Sequence, residues 1–452
     1  MKEAEMRTRR RFFRDVGCGL GGFAFLSRMG WLSRLEAAVM EGATDYRALV
    51  CMFMFGGNDG NNMVIPYDEY AGYQAVRGSE INIAKSDLLQ ISAPSQGAAF
   101  GLHPALAQLQ PLYQQGKMAV LANVGTLVQP ITRADYLAGA PRPDSLFSHA
   151  DQQGQWQTAV VRGSDPASQS GWGGRTADAA APLAGGSFPM VVSVAGIPLF
   201  TTGVTSRPMV PGSGLRGFGT DAISKARYSA LRALLTLDTS STLVGSASAI
   251  GSSAIDSTDT LNAALASAPA LATAFPSTSL GKQLHQIAQI LSVRSALGMR
   301  RQIFFASLGG FDTHTDELAT QQTLLAEVGG ALAAFYAATV ELGVADAVTT
   351  FTLSDFGRTF QPASGGGTDH AWGSHHFVLG GAVKGGDFYG TYPTLALAGP
   401  DDATSEGRWI PTTAVDEYGA TLARWFGVDS ASLPTVFPNL GRFSTSDVGI
   451  FV

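Results

Sequence analysis

The sequence predicts an α/β protein, a three-layer α/β/α fold around a mostly parallel central sheet with an inserted helical subdomain. Three observations lead there. Short apolar runs recur at Arg47–Phe55, Met118–Val124, Met190–Ala195, Gln302–Leu308 and Val348–Leu353. Each has the length of a strand buried on both faces, and each gives way to a Gly-rich or polar segment. Helical patterns alternate with them at His103–Gln114, Lys282–Leu297, Asp316–Leu342 and Val415–Phe426. The composition of the 452 residues, 45% hydrophobic and 15% charged with 54 glycines, supplies a large core and many tight loops and excludes disorder of the whole chain.

Residues 1–43 read as an export signal. Thr8-Arg9-Arg10-Arg11-Phe12-Phe13-Arg14 precedes a modest apolar stretch, Val16–Leu32, which is Gly-rich and interrupted by Arg28. Paired arginines before Phe-Phe and a weakly apolar segment point to the twin-arginine route, which carries folded proteins. The alternative is a basic amphipathic helix. The stretch falls short of the ~20 apolar residues of a stable membrane span. Cleavage is expected between Ala38 and Thr44, leaving a periplasmic or extracellular protein with no further segment long and apolar enough to cross a membrane. Residues 44–200 and 281–452 read as two parts of one α/β domain. Between them, 201–280 reads as a helical insertion or lid, rich in Ala, Ser, Thr and Gly, with a helix-like piece at Ser224–Leu237. Thr239–Thr258 is close to low complexity and is expected to be mobile.

Charge and cysteine content narrow the chemistry. With 30 Lys+Arg against 36 Asp+Glu the net charge is −6, which argues against a nucleic-acid partner. Cys18 and Cys51 are the only cysteines, so there is no disulfide framework and no Cys-type zinc site.

Polar residues cluster where strands end, the place where ligands collect in open parallel sheets. Gly56-Gly57-Asn58-Asp59-Gly60 follows the first strand, Gly309-Gly310-Phe311-Asp312-Thr313-His314 follows Gln302–Leu308, and Ser354-Asp355-Phe356-Gly357-Arg358 follows Val348–Leu353. Thr368-Asp369-His370-Ala371-Trp372-Gly373-Ser374-His375-His376 comes shortly after. In an extended segment Asp312 and His314 point the same way, half of a Zn- or Mn-type site. His375 and His376 face opposite sides, so at most one of them reaches the same ion as His314. Bland alternatives stand beside each: turn chemistry or a helix cap for Asp59, a cap for Asp355, a hydrogen-bonded loop for the histidines. In Ser145-Leu146-Phe147-Ser148-His149-Ala150-Asp151, Ser148 is either an ordinary N-cap or a hydroxyl nucleophile beside a metal. Gly212–Gly217 matches a dinucleotide fingerprint but follows Pro211 rather than a strand. Asp355-Phe356-Gly357 lacks a kinase catalytic loop upstream, and no Gly-x-Ser-x-Gly elbow occurs.

The ordered motifs resemble domain-of-unknown-function family 1501. They are the arginine-rich signal, Phe55-Gly-Gly-Asn58-Asp59, Gly101-Leu102-His103-Pro104, Phe147-Ser148-His149-Ala-Asp151, Gly-Gly-Phe-Asp312-Thr-His314, Ser-Asp355-Phe-Gly-Arg358 and Asp369-His370-Ala-Trp-Gly-Ser-His375-His376. That family is similar in outline to the alkaline phosphatase and sulfatase superfamily, whose members hold two divalent metals at the carboxyl edge of a parallel sheet. The resemblance implies metal ligands at Asp59, Asp312, His314, Asp355 and among His370, His375 and His376, with Ser148 as nucleophile. Phe356 stands where the superfamily's Asp-His-Gly motif has its histidine, and the sulfatase nucleophile signature is absent. The expected function is that of an exported metal-dependent hydrolase of phosphate or sulfate esters, carrying one or two divalent ions (Zn, Mn or similar). Arg358 or Arg133 stabilises the anion of a small-molecule or polymeric ester. The rival is a non-catalytic binding or assembly protein on a degenerate scaffold of the same kind, taking a carbohydrate or a partner protein.

Overall fold

Strand β1 (Arg47–Met54) is buried from Ala48 to Met54, so neither of its faces meets solvent. A computed structural model describes residues 45–452 except 164, 213, 214, 216 and 238–240, and the expected export signal lies outside the described residues. Arg47–Val452 form one unit. After β1 come a helical turn at Gly60–Met63 and a small antiparallel sheet of β2 (Val64–Pro66), β3 (Leu89–Ala93) and β4 (Ala98–Leu102), with helix α1 (Tyr70–Ile81) between β2 and β3.

The main sheet has eight strands. To β1 it adds β5 (Met118–Gly125), β6 (Val191–Ser193), β7 (Arg301–Leu308), β8 (Val348–Ser354), β9 (Ser374–Leu379), β10 (Phe388–Tyr389) and β11 (Thr413–Ala414). Their order is β10-β5-β9-β8-β1-β7-β6, with β11 also on β5. β1 pairs in parallel with β7 and β8, placing Cys51 opposite Phe305 and Phe351, and only β9 runs antiparallel to its neighbours β5 and β8. The longer helices are α2 (His149–Thr158), α3 (Trp172–Ala179), α4 (Ala222–Leu234), α5 (Thr242–Leu265), α6 (Ser279–Ser292), α7 (Glu317–Glu341) and α8 (Val415–Phe426).

Alternation along β1 divides the core. Leu49, Cys51 and Phe53 share a buried cluster with Trp156 of α2, Trp172 of α3 and Tyr418 and Leu422 of α8. Ala48, Val50 and Met52, on the other face, are fully buried too. Each large apolar side chain buried this way contributes about 1.5–3 kcal/mol. Trp172 settles its one polar atom by donating from Nε1 to the Trp156 carbonyl at 3.0 Å.

All five expected strands form within two residues of their expected ends. Elsewhere the structure differs from expectation. β9 was not anticipated, because its Ser-His-His start reads as a polar loop. The helix expected over His103–Gln114 is α-helical only at Gln110–Gln114, after a 3₁₀ turn at Pro104–Leu106. Proline at 111 lacks the N–H that a helix running through from 103 needs. Thr239–Thr258, expected to be mobile, instead supplies most of α5, 24 residues from Thr242 to Leu265. The segment has no proline, and α4 packs along it. α7, against the expectation that no further segment is long and apolar enough to cross a membrane, has an 18-residue stretch of mean hydropathy 1.5, long and apolar enough by length and composition alone. It nevertheless packs as a core helix, burying Leu325, Val328, Leu332 and Phe335 at three- and four-residue spacing.

Candidate metal centre

The carboxyl ends of β1, β7 and β8 lie side by side, and two glycines let their loops touch. Gly56 has φ +118°, and a Cβ there would stand 2.4 Å from the Asp312 nitrogen. Gly57 has φ +84°, and its Cβ would stand 2.5 Å from the Phe356 ring. Antiparallel β9 starts at the same edge, so the loop before it delivers Asp369 and His370 there. The first turn of α2 adds His149, with Gln153 one turn further along the same face.

These loops converge on one carboxylate oxygen. Asp312 Oδ1 lies 3.0 Å from His314 Nε2, 3.4 Å from His149 Nε2 and 3.4 Å from His370 Nε2. His314 Nε2 and His370 Nε2 are themselves 3.0 Å apart. His149, Asp312 and His370 offer donor atoms that all lie within 4.8 Å of one another. Arg358, fully buried, donates from a terminal nitrogen to the same Asp312 oxygen at 3.0 Å.

Each imidazole is held by its other nitrogen. His370 Nδ1 is 2.7 Å from the Phe147 carbonyl, which can only accept, so Nδ1 carries the proton. His149 Nδ1 is 2.7 Å from Asp355 Oδ2, an oxygen that also accepts from Gln153 Nε2 at 2.8 Å. His314 Nδ1 is 3.0 Å from Asp369 Oδ1. In their neutral form all three rings therefore turn a bare Nε2 lone pair toward Asp312. Lone pairs 3.0 Å apart repel unless a cation lies between them, either a proton or a metal ion. Donors around a tetrahedral ion at ~2.0–2.1 Å stand about 3.3 Å from one another, and histidine ligands typically give Nδ1–H to a carboxylate or carbonyl. The buried His149 Nε2 has no hydrogen-bond partner. His149, His370 and Asp312 give two imidazoles and a carboxylate, a set that suits Zn or Mn, with His314 at its edge against Asp312 and His370. The residues present fit a divalent ion.

The local charges follow from this packing. Burial raises the Asp312 carboxyl, but the charges of Arg358, His314, His149 and His370 outweigh burial and hold it below its ordinary value. Burial lowers His370 and, against bonds from Gln153 and His149, raises Asp355. Arg358 Nε and its second terminal nitrogen are buried with no hydrogen-bond partner.

Of the residues singled out in the sequence, the structure brings together Asp312, His314, Asp355, His370 and Arg358. Asp59 sits apart. Its carboxylate caps the turn at Gly60–Met63 by accepting from the Asn61 N–H at 3.0 Å, and pairs with Arg77 at 2.8 Å. His375 and His376 do face opposite sides of β9, and neither joins the cluster. His375 Nδ1 accepts from the Asn123 N–H at 3.1 Å and its ring stacks on Tyr392, whereas His376 packs on Trp156 and Tyr418. Ser148 holds the N-cap position of α2, but its side chain makes no cap bond. Arg133 donates to the carbonyls of Asp402 and Thr404 at 2.8 and 3.0 Å.

The sequence motifs contain His149 and Asp369 without a ligand role assigned to either, and Gln153 and Glu317 carry no signal of their own there. His149 and Gln153 at i and i+4 on a helix opening with Ser148 were the available signal. Glu317 is a buried brace: its carboxylate accepts from Thr313 at 3.2 Å and from Thr368, and lies 3.6 Å from Arg77. Thr313 separates Asp312 from His314, and Thr368 precedes Asp369, so one carboxylate ties together two loops of the cluster.

Fold and site define an α/β protein with a histidine–aspartate cluster at the carboxyl edge of a mostly parallel sheet. The chain belongs to the family described as protein of unknown function DUF1501, whose model matches residues 46–414. No curated protein matches it. A solved structure titled "Crystal structure of Ps i-CgsB in complex with k-i-k-neocarrahexaose" is similar at 9% identity and a TM-score of 0.33, covering 89% of this chain and 75% of that one. A likeness of that degree carries no argument here.

Proposed function

We propose that this chain is an exported, metal-dependent hydrolase of phosphate or sulfate esters on an alkaline phosphatase-like α/β/α scaffold. The observation that carries the reading is the convergence of His149, His314 and His370 Nε2 on Asp312 Oδ1 within 3.0–3.4 Å, each ring anchored at Nδ1 by an oxygen. A divalent ion bound there supplies a Lewis acid for a non-bridging ester oxygen. Arg358 offers the unpartnered Nε and terminal nitrogen to two oxygens of the same tetrahedral group. Ser148, which precedes His149 and makes no cap bond with its side chain, is the nucleophile in this reading, with water the alternative. Attack by the Ser148 hydroxyl, its proton passing to solvent, breaks the ester bond at phosphorus or sulfur, the alcohol leaves with a proton from solvent, and water then releases phosphate or sulfate from the serine. Arg133 is committed to backbone carbonyls, so the anion role falls to Arg358.

The test is hydrolysis of nitrophenyl phosphate and nitrophenyl sulfate by purified protein supplied with Zn or Mn. Wild type turns over one of the two, Asp312→Ala loses turnover, and Arg358→Lys lowers kcat by about 10²–10³. A metal-loaded wild type inert toward both esters overturns the proposal and favours the second reading, a binding protein for a carbohydrate or a partner protein. One observation supports that second reading. The buried Phe356 ring lies 4.8 Å from His149 and 4.7 Å from His370, where the related superfamily motif has a metal-binding histidine.

A further inference from the structure

The helical insertion is built with its polarity reversed. α4 and α5 run antiparallel, with Tyr228 facing Asp259, Arg232 facing Asp256 and Leu235 lying over Gly251. Much of what they turn toward each other is polar: Tyr228 Oη donates to Asp259 at 2.6 Å, while Arg232 reaches Asp256 at 2.5 Å and donates to Tyr228 Oη at 3.0 Å. What they turn to solvent is apolar, with Ile223 66%, Leu234 61%, Leu243 84% and Ile250 71% exposed. A lone exposed leucine is ordinary, but an ordered row of them is not.

The rows have heptad spacing. On α4 the exposed positions Ile223, Arg227, Ala230 and Leu234 are separated by four, three and four residues. On α5 Leu243, Ala247, Ile250 and Ala254 repeat the same spacing, also exposed. That is the a/d pattern of a seam made for another helix, with alanines that admit close approach. At 3.6 residues per turn each seam lies about 140° around its helix from the side facing the other. The rotation has the same sense in both, and the helices are antiparallel, so both seams lean toward one side of the hairpin while turning outward. With Leu231, Leu237 and Val244 alongside, this face exposes on the order of 700 Å² of apolar residues, near the ~800 Å² each partner buries in a standard-size interface.

We propose that the α4–α5 hairpin is a self-association surface, on which two copies of this chain pair across a two-fold axis. A membrane fits the face less well. Ser246, Gly251 and Ser253 flank the α5 seam, and Asp221, Asp256 and Asp259 offset Lys225, Arg227 and Arg232, leaving no basic belt for lipid headgroups. Arg227, the one charged seam position, serves to fix register, as a polar group at a single a position does.

Sedimentation velocity of the full chain at micromolar concentration tests this. Wild type sediments as a dimer. Leu234→Glu and Ile250→Glu each weaken association at least about tenfold, since a charge must be buried in the seam. Both variants keep the wild-type unfolding midpoint, which shows that they fold. Ile197→Glu, at a position 74% exposed outside the hairpin, stays dimeric. A monomeric wild type overturns the proposal, as do dimers of unchanged affinity in both hairpin variants. Binding of monomeric wild type to anionic vesicles that Ile250→Glu abolishes would assign the face to lipid instead.

Discussion

His149, His314 and His370 each give Nδ1 to an oxygen, of Asp355, Asp369 and Phe147 respectively, and turn Nε2 to a common point. An imidazole so anchored has its ring plane and tautomer chosen before any ion arrives. Asp355 does this for His149 while Gln153 shares the same carboxylate oxygen. Asp355→Asn keeps the volume but removes the charge that orients His149. It is expected to weaken Zn or Mn binding by about 10–100-fold without unfolding the protein, measured by competition with a chromophoric chelator. An unchanged affinity would mean that His149 is not oriented through Asp355. At this scale the sequence was legible where residues sit at strand ends. Asp312, His314, Asp355 and His370 stood out because apolar runs stop just before three of them and a histidine-rich loop holds the fourth. His149 was hidden because it opens a helix, where its neighbour Ser148 reads as a cap. His375 and His376 misled because a histidine on a buried strand has the same letters as one in a loop. Nothing in one sequence distinguishes a ring stacked on Tyr392 from a ligand.

Loops and helices set the cluster's shape. The loop after β7 that carries Asp312 and His314 and the loop before β9 that carries Asp369 and His370 share the Glu317 carboxylate through Thr313 and Thr368. Glu317 is in turn held near Arg77, which is paired with Asp59. Burial raises Glu317 well above the carboxylate range, and neighbouring Asp59 reinforces this against Arg77. Glu317 raised in this way braces by hydrogen bonds more than by charge, and Glu317→Ala leaves two threonine hydroxyls without their acceptor and a cavity beside the Arg77–Asp59 pair. It is expected to destabilise the protein by about 2–4 kcal/mol, measured by urea unfolding. A loss below about 1 kcal/mol would show that the brace is dispensable. The strands were legible because buried parallel strands are continuous apolar runs. β9 and α5 were not. β9 begins with polar residues whose burial depends on its neighbours, and α5 is written in Ser, Thr, Ala and Gly, whose weak propensities are decided by packing.

For the whole molecule, acid stability carries the mark of the two core histidines. Burial lowers His375 to about 3 against a small opposing effect of Asp59, and burial together with the charge of His375 lowers His376 to about 3. The unfolded chain protonates each near pH ~6.5. Their contribution is therefore complete above pH ~6.5 and is lost as pH falls toward 3, at about 1.4 kcal/mol per pH unit for each histidine. Asp416, pushed up to about 8 by burial, acts in the opposite direction, its native state holding a proton that the unfolded chain releases. The histidine contribution is isolated by comparing wild type with His376→Asn. From about pH 7.5 to about pH 5 the stability difference should shift in favour of the variant by about 2 kcal/mol, read from urea midpoints. Parallel profiles would show that His376 is not buried neutral. The fold class was legible from the alternation of strands and helices alone. The gathering of distant loops at one sheet edge was not, since it depends on glycines 56 and 57 admitting neighbours that no local pattern announces. The central claim is that His149, His314 and His370 with Asp312 form one metal centre, and elemental analysis of protein purified without added metal tests it most directly. The account predicts about one Zn or Mn per folded wild-type chain, lost in both Asp312→Ala and His149→Ala. A folded wild type without metal, or His149→Ala retaining the full complement, would contradict it.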